Sequence, residues 1–163
     1  MNLTKASIIL PVITTIIGAF IGSYLAFGKY KREMKWKVKY DAYREILESI
    51  DNMIQWANET YSSCLCLPII GGIEEKEFYN HYANSRKCIS RYINIGKLVI
   101  NSKAAQLLDE INKSLVDEDF FFEFQGMDET NYSKELSIYA ERIRSILDSK
   151  LEELITIAKQ DLR

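Results

Sequence analysis

The sequence predicts an all-α protein, one N-terminal transmembrane helix followed by an antiparallel bundle of about four helices. Three observations lead there. Residues 6–27 hold no charged side chain and run directly into a cluster of Lys and Arg. From Tyr43 onward apolar residues return every three or four positions, the period of a helix with one buried face. No stretch of comparable length alternates apolar and polar residues as a half-buried strand does. The 163 residues divide on this reading into an anchor at 1–28, a basic juxtamembrane helix at 29–42 and a helical-bundle domain at 43–163. The last is about 120 residues long, enough for one buried core.

As a helix the 22 uncharged residues of 6–27 rise roughly 33 Å, the hydrocarbon thickness of a bilayer. Pro11 lies near the start, where proline gives up no intrahelical hydrogen bond. Thr14, Gly18, Gly22 and Ala26 recur every four residues and line one face with small side chains. Helices in lipid associate through such faces by close backbone approach, so a homo-oligomer formed through the anchor is expected. A cleaved signal peptide is the competing reading, with Lys5 as its basic start and Ala26, Phe27 and Gly28 near a cleavage point. Against it, the apolar run exceeds a usual signal core and the cations behind it stop translocation.

The flank that follows carries Lys29, Lys31, Arg32, Lys35, Lys37 and Lys39, with Tyr24, Tyr30 and Trp36 at headgroup level. Residues 28–44 hold seven Lys/Arg against two acids, a net of +5, whereas 45–163 hold 13 against 21, a net of −8. By the positive-inside rule the N-terminus faces outward and the C-terminal domain lies in the cytoplasm, tethered to the inner (plasma) membrane. The cations are expected to touch anionic lipid headgroups at about 1 kcal/mol each, although a plain stop-transfer flank accounts for most of the cluster. The acidic remainder argues against nucleic acid as a partner.

The first helix reads on through Gly28 to Ser63 with a stripe at Tyr43, Ile46, Leu47, Ile50, Met53, Ile54, Ala57 and Tyr61. Pro68, Gly71 and Gly72 end it. Glu74, Glu75 and Glu77 open a second helix at the positive end of its dipole, with Phe78, Tyr82, Cys88 or Ile89, and Tyr92 along its face and Gly96 at its end. Asn101 and Ser102 cap a third, short helix striped by Ala104, Leu108, Ile111 and Leu115. Residues 117–126 then break the periodicity, and 128–131 cap a long last helix. Its stripe of Leu136, Ala140, Ile143, Leu147, Leu151, Leu154 and Ala158 repeats about every 3.67 residues, which suits a compact bundle better than a heptad coil.

Motifs of catalysis are sparse. His81 is the sole histidine, so neither a catalytic triad nor a histidine metal pair can form within one chain. A zinc site would need Cys64, Cys66, His81 and Cys88 at a spacing foreign to known zinc motifs, and three cysteines suit free thiols in a reducing compartment. There is no phosphate loop, nucleophile elbow, His-Glu-x-x-His or dinucleotide fingerprint. No cofactor, metal or catalytic residue is therefore expected. The unusual local feature is Phe120, Phe121, Phe122 and Phe124 within an acidic run: these rings either dock an unknown cytoplasmic protein partner or, more plainly, cover the end of the bundle.

Residues 35–47, with Lys35, Trp36, Lys39, Tyr43 and Leu47, and the closing 157–162 behind an N-terminal anchor resemble small bacterial and prophage single-pass membrane proteins of unknown function. That resemblance implies a bacterial helical module facing the cytoplasm, in phage or stress biology, and brings no catalytic residue. The function expected is a noncatalytic membrane-tethered interaction or scaffold module. Two alternatives stay open. One is an oligomeric effector whose Ser7, Thr14, Thr15 and Ser23 face inward and perturb the bilayer; the other is a bundle that senses a small ligand between its helices.

Overall fold

A computed structural model describes residues 3–65, 75–124 and 131–163, and the side chains of 17–65, 80–123 and 131–163. The described chain is all-α. Helix α1 spans Leu3–Cys64, α2 Glu75–Ile95, α3 Ser102–Phe124 and α4 Tyr132–Asp161, with a 3-10 turn at Gly96–Leu98 between α2 and α3. The chain divides into two compact units, Met1–Val38 and Lys39–Arg163.

Side-chain pairs fix the topology of the second unit. Glu45 meets Arg91, and Trp56 meets Tyr82, so α1 and α2 run antiparallel. Arg86 meets Asp119 between antiparallel α2 and α3, while Glu118–Arg142 and Glu110–Lys150 align α3 against α4. Lys39 meets Asp161, and Ser133 donates to the Cys64 carbonyl, which closes α4 antiparallel onto α1. The result is an up-down-up-down four-helix bundle, the topology short connections favour.

The period of the sequence accounts for the core. Tyr43, Ile46, Ile50, Met53 and Ala57 are buried on α1, Tyr82, Ile89 and Tyr92 on α2, Ala104, Leu108, Ile111 and Leu115 on α3, and Ala140, Ile143, Leu147, Leu154 and Ala158 on α4. Each fully buried Leu, Ile or Met contributes about 1.5–3 kcal/mol of transfer free energy. Trp56, Ala42 and Leu107 are buried as well, outside the stripes read from sequence, whereas Tyr61 lies 38% exposed. At the α2–α3 connection Gly96 is buried; a Cβ there would sit 3.1 Å from Ile100 Cδ1, and the Gly96 carbonyl accepts from both Val99 N and Ile100 N at 2.7 Å. Asn101 caps α3 as expected, its Oδ1 accepting from Lys103 N at 2.9 Å.

Two expectations are corrected. Helix α3 is not short, and 117–124 do not break it: Asp119 follows Leu115 at the next core-facing position, and partners on α2 and α4 satisfy its charge, so the helix continues to Phe124. Asn131 sits at the N-cap of α4 but makes no side-chain cap hydrogen bond. Among the described residues no helix is long and apolar enough to cross a membrane. Of the uncharged run, described side chains begin at Ile17, and 17–27 rise only about 16 Å as a helix. The side chains of 6–16, including Pro11 and Thr14, the turn at 66–74 with Cys66 and Pro68, the Phe78 and Phe124 side chains, and 125–130 lie outside the described residues.

Candidate functional site

Every residue from 17 to 38 is exposed, including Gly18, Gly22, Ala26 and the cations Lys29, Lys31, Arg32, Lys35 and Lys37. A Cβ added at Gly18 or Gly22 would meet nothing within 4 Å. The large apolar side chains are also uncovered: Phe20 is 74% exposed, Tyr24 81% and Leu25 65%. Lys29 pairs loosely with Glu33 at 3.7 Å, and Lys31 stands 5.9 Å from the Phe27 ring centroid. Lys39, grouped on sequence with the headgroup-facing cations, is held within the bundle. The antiparallel return of α4 brings Asp161 to it, with Nζ 3.0 Å from Oδ1.

The four phenylalanines of the acidic run part company. Phe122 turns inward, stacked on Tyr139 at 4.5 Å between centroids and tilted against Tyr132 at 6.3 Å. Phe120 and Phe121 are each 55% exposed. Phe121, Phe122, Glu118, Glu135, Ile138, Tyr139 and Arg142 line a shallow recess open to solvent between α3 and α4, with a cavity volume of about 20 Å³. That is room for about one water molecule, far below the cavity a drug-sized ligand occupies.

Beneath the recess lies a polar cluster. The Arg86 guanidinium donates to Asp119 Oδ2 at 3.1 Å and to the Tyr82 phenol at 3.5 Å, and the Tyr139 hydroxyl donates to Asp119 Oδ1 at 2.5 Å. Trp56 closes the group, 4.2 Å from the Tyr82 ring and edge-on to Tyr139 at 6.0 Å. Burial lifts the Tyr82 phenol above its ordinary range. It lifts Tyr139 further, helped by neighbouring Tyr82 and by the hydrogen bond to Asp119. Both phenols therefore stay protonated at neutral pH. Among the described residues no buried side-chain nitrogen or oxygen lacks a partner. So satisfied a network fixes helix register; it offers no activated nucleophile.

Two further ties bind α1. Glu45 accepts from Arg91 and, at 2.6 Å, from the Tyr92 hydroxyl. The Tyr92 bond, joined by Arg91, holds the Glu45 carboxyl below its usual range, while burial and that carboxylate push Tyr92 up to about 12. Burial raises the neighbouring Cys88 thiol, which makes it a poorer nucleophile. At the end of the bundle Asp161 gathers Lys39, the Tyr43 hydroxyl at 2.9 Å and the Asn101 N–H at 3.1 Å.

Cys64 and Cys88 are free thiols and His81 is exposed; among the described residues no group of His, Cys, Asp and Glu could hold a metal ion. Sequence reasoning missed Tyr82, Arg86, Asp119 and Tyr139 as a set. The available signal was an acid four residues after Leu115 in a buried stripe, which demands a cation on a facing helix.

Fold and side-chain arrangement define an antiparallel four-helix-bundle protein whose interhelical polar groups are mutually paired. No protein family matches the chain, and neither does any curated protein or solved structure.

Proposed function

We propose that the chain is a noncatalytic, membrane-tethered interaction module. In this reading residues 6–27 cross the inner membrane once, with the N-terminus outside and the bundle in the cytoplasm. One observation carries it: an uncharged run whose described part exposes Ile17, Phe20, Ile21, Tyr24, Leu25 and Phe27 ends at a basic stretch. Contiguous apolar surface of that kind calls for lipid or another helix to cover it. Thr14, Gly18, Gly22 and Ala26 supply the face for self-association. Lys29, Lys31, Arg32, Lys35 and Lys37 meet the anionic headgroups. Phe120 and Phe121, exposed beside the recess, are where a cytoplasmic protein partner docks. Tethering raises the local concentration of such a partner without demanding tight binding.

The test is alkaline extraction of bacterial membranes holding the full chain, with crosslinking in the same membranes. The chain stays in the pellet and yields a crosslinked dimer, and Gly22→Leu weakens the dimer while leaving bundle unfolding unchanged, because the added side chain meets nothing within the chain. A soluble product trimmed near Gly28 sinks the proposal. Loss of function when an unrelated anchor replaces 1–28 favours the bilayer-perturbing effector over the tether.

A further inference from the structure

Charge is distributed unevenly along the bundle axis. One end is built from 39–45 of α1, 91–98 at the close of α2, 99–105 and the last turn of α4 at 158–163. These segments carry Lys39, Arg44, Arg91, Lys97, Lys103, Lys159 and Arg163 against Asp41, Glu45 and Asp161. All three carboxylates have cations beside them: Arg44 at 3.9 Å from Asp41, Arg91 on Glu45 and Lys39 on Asp161. At the other end 55–64, 80–86, 115–123 and 131–142 carry Arg86, Lys134 and Arg142 against seven carboxylates. From Phe78 to Leu108 the chain holds five Lys/Arg and no acid at all.

The basic end also has an apolar tip. Leu98, in the 3-10 turn, is 89% exposed, and Ile95 beside it 52%, with Lys97 between them and Lys103 the second residue of α3, both exposed. The turn is held rigid: Gly96 is buried, and its carbonyl accepts two backbone hydrogen bonds at 2.7 Å. Asn101, just beyond, is fastened to Asp161 and to the Tyr43 hydroxyl. The chain itself enters the bundle at this end, at Lys39, directly after the basic stretch.

Resting on the reading of 6–27 as an anchor, we propose that this end of the bundle is a second membrane contact. Leu98 and Ile95 insert at the headgroup level of an anionic bilayer, with Lys97 and Lys103 beside the lipid phosphates. The physics is that of a charged body near a charged plane. A bundle positive at one end and negative at the other is oriented by an anionic leaflet, each Lys or Arg close to the surface adding to the attraction. This attraction reaches about 8 Å in physiological salt. The apolar tip supplies the short-range part by leaving water. The acidic end, with Phe120 and Phe121, is then turned toward the cytoplasm.

The experiment uses the full chain reconstituted in phosphatidylcholine vesicles with or without phosphatidylglycerol. An environment-sensitive fluorophore is placed at position 98 through Leu98→Cys, and in a control at the opposite end through Tyr132→Cys, with Cys64, Cys66 and Cys88 replaced by Ser. The label at 98 shifts to the blue and is quenched by lipid-borne nitroxide only when phosphatidylglycerol is present, and added salt reverses both changes; the label at 132 stays in water. In the label-98 chain, Lys97→Glu with Lys103→Glu lowers the ratio of docked to free by roughly tenfold or more. A chain that floats with the vesicles yet shows position 98 as wet as position 132 overturns the docking alone. A chain that fails to float with either vesicle overturns the anchor and the docking together.

Discussion

Helix α1 holds two stretches in opposite circumstances. From 17 to 38 every residue is exposed; from Ala42 to Ala57 a regular stripe is buried to 8% exposure or less. Both stretches are rich in large apolar residues, so composition does not separate them. Arrangement does. The second stretch confines its apolar groups to one face and sets Arg44, Glu48 and Asp51 on the other, whereas in the first Ile17, Phe20, Ile21, Tyr24 and Leu25 share one side and the opposite side holds Gly18, Ala19, Gly22 and Ala26, with no charge from 17 to 27. A stripe backed by charges is satisfied by three neighbouring helices and water. A stretch uncharged on every side leaves its large apolar face exposed and has no charged face to turn to water.

Matched substitutions sharpen this contrast. The largest effect is expected from isoleucine truncation. Ile50→Ala, at a position fully buried, should destabilise the bundle by about 3 kcal/mol, read as a lower denaturation midpoint through the fluorescence of buried Trp56. Ile21→Ala, at a position 56% exposed, should leave that midpoint within about 0.5 kcal/mol. Equal losses from the two variants would break the comparison. A smaller effect should come from removing one hydroxyl. Tyr43→Phe deprives Asp161 of a donor and the Asn101 N–H of one of its two acceptors, a loss of about 1 kcal/mol, while Tyr30→Phe on the exposed stretch changes nothing in the same unfolding assay.

The smallest effect is a pH dependence. The carboxyl of Glu45 has a folded pKa below its ordinary value of 4.5, so its contribution is fully present above that value and is lost as pH falls through the lower, folded one. Because Glu45 and Arg91 are nearly half exposed, the gain is discounted for solvent screening to a few tenths of a kcal/mol. The melting temperatures of the parent chain and Glu45→Gln should differ at neutral pH and converge below about pH 4.5; a gap that persists in acid would assign the difference to packing instead.

Periodicity made most of the bundle legible. The stripes on α1, α3 and α4 named most of their buried residues, though not Ala42, Trp56, Ala105 or Leu107, and Asn101 announced the start of α3, because a helix buries one face and leaves its first N–H groups to be capped. What stayed hidden depends on pairs distant in the chain. Asp119 looked like the end of a stripe since its partners, Arg86 and Tyr139, lie 33 and 20 residues away. Lys39 looked like one more flanking cation since Asp161 is 122 residues downstream. Phe122 and Phe121 are neighbours in a run of identical side chains, and only the position of α4 decides that the first stacks on Tyr139 while the second faces water. A local pattern reports which face is apolar; it does not report who stands opposite.

The carboxylate at Asp161 carries a mechanical consequence. An even number of helices returns the chain to its starting edge, so the bundle is entered at Lys39 and left at Asp161 with those two side chains joined. Tension applied between these points would meet the helix pairs one turn at a time, like a zipper opened from its slider, instead of loading all contacts at once in shear. Once Lys39, Tyr43 and Asn101 let go, α4 peels from α1 progressively, and the force required should be low for a core of this size.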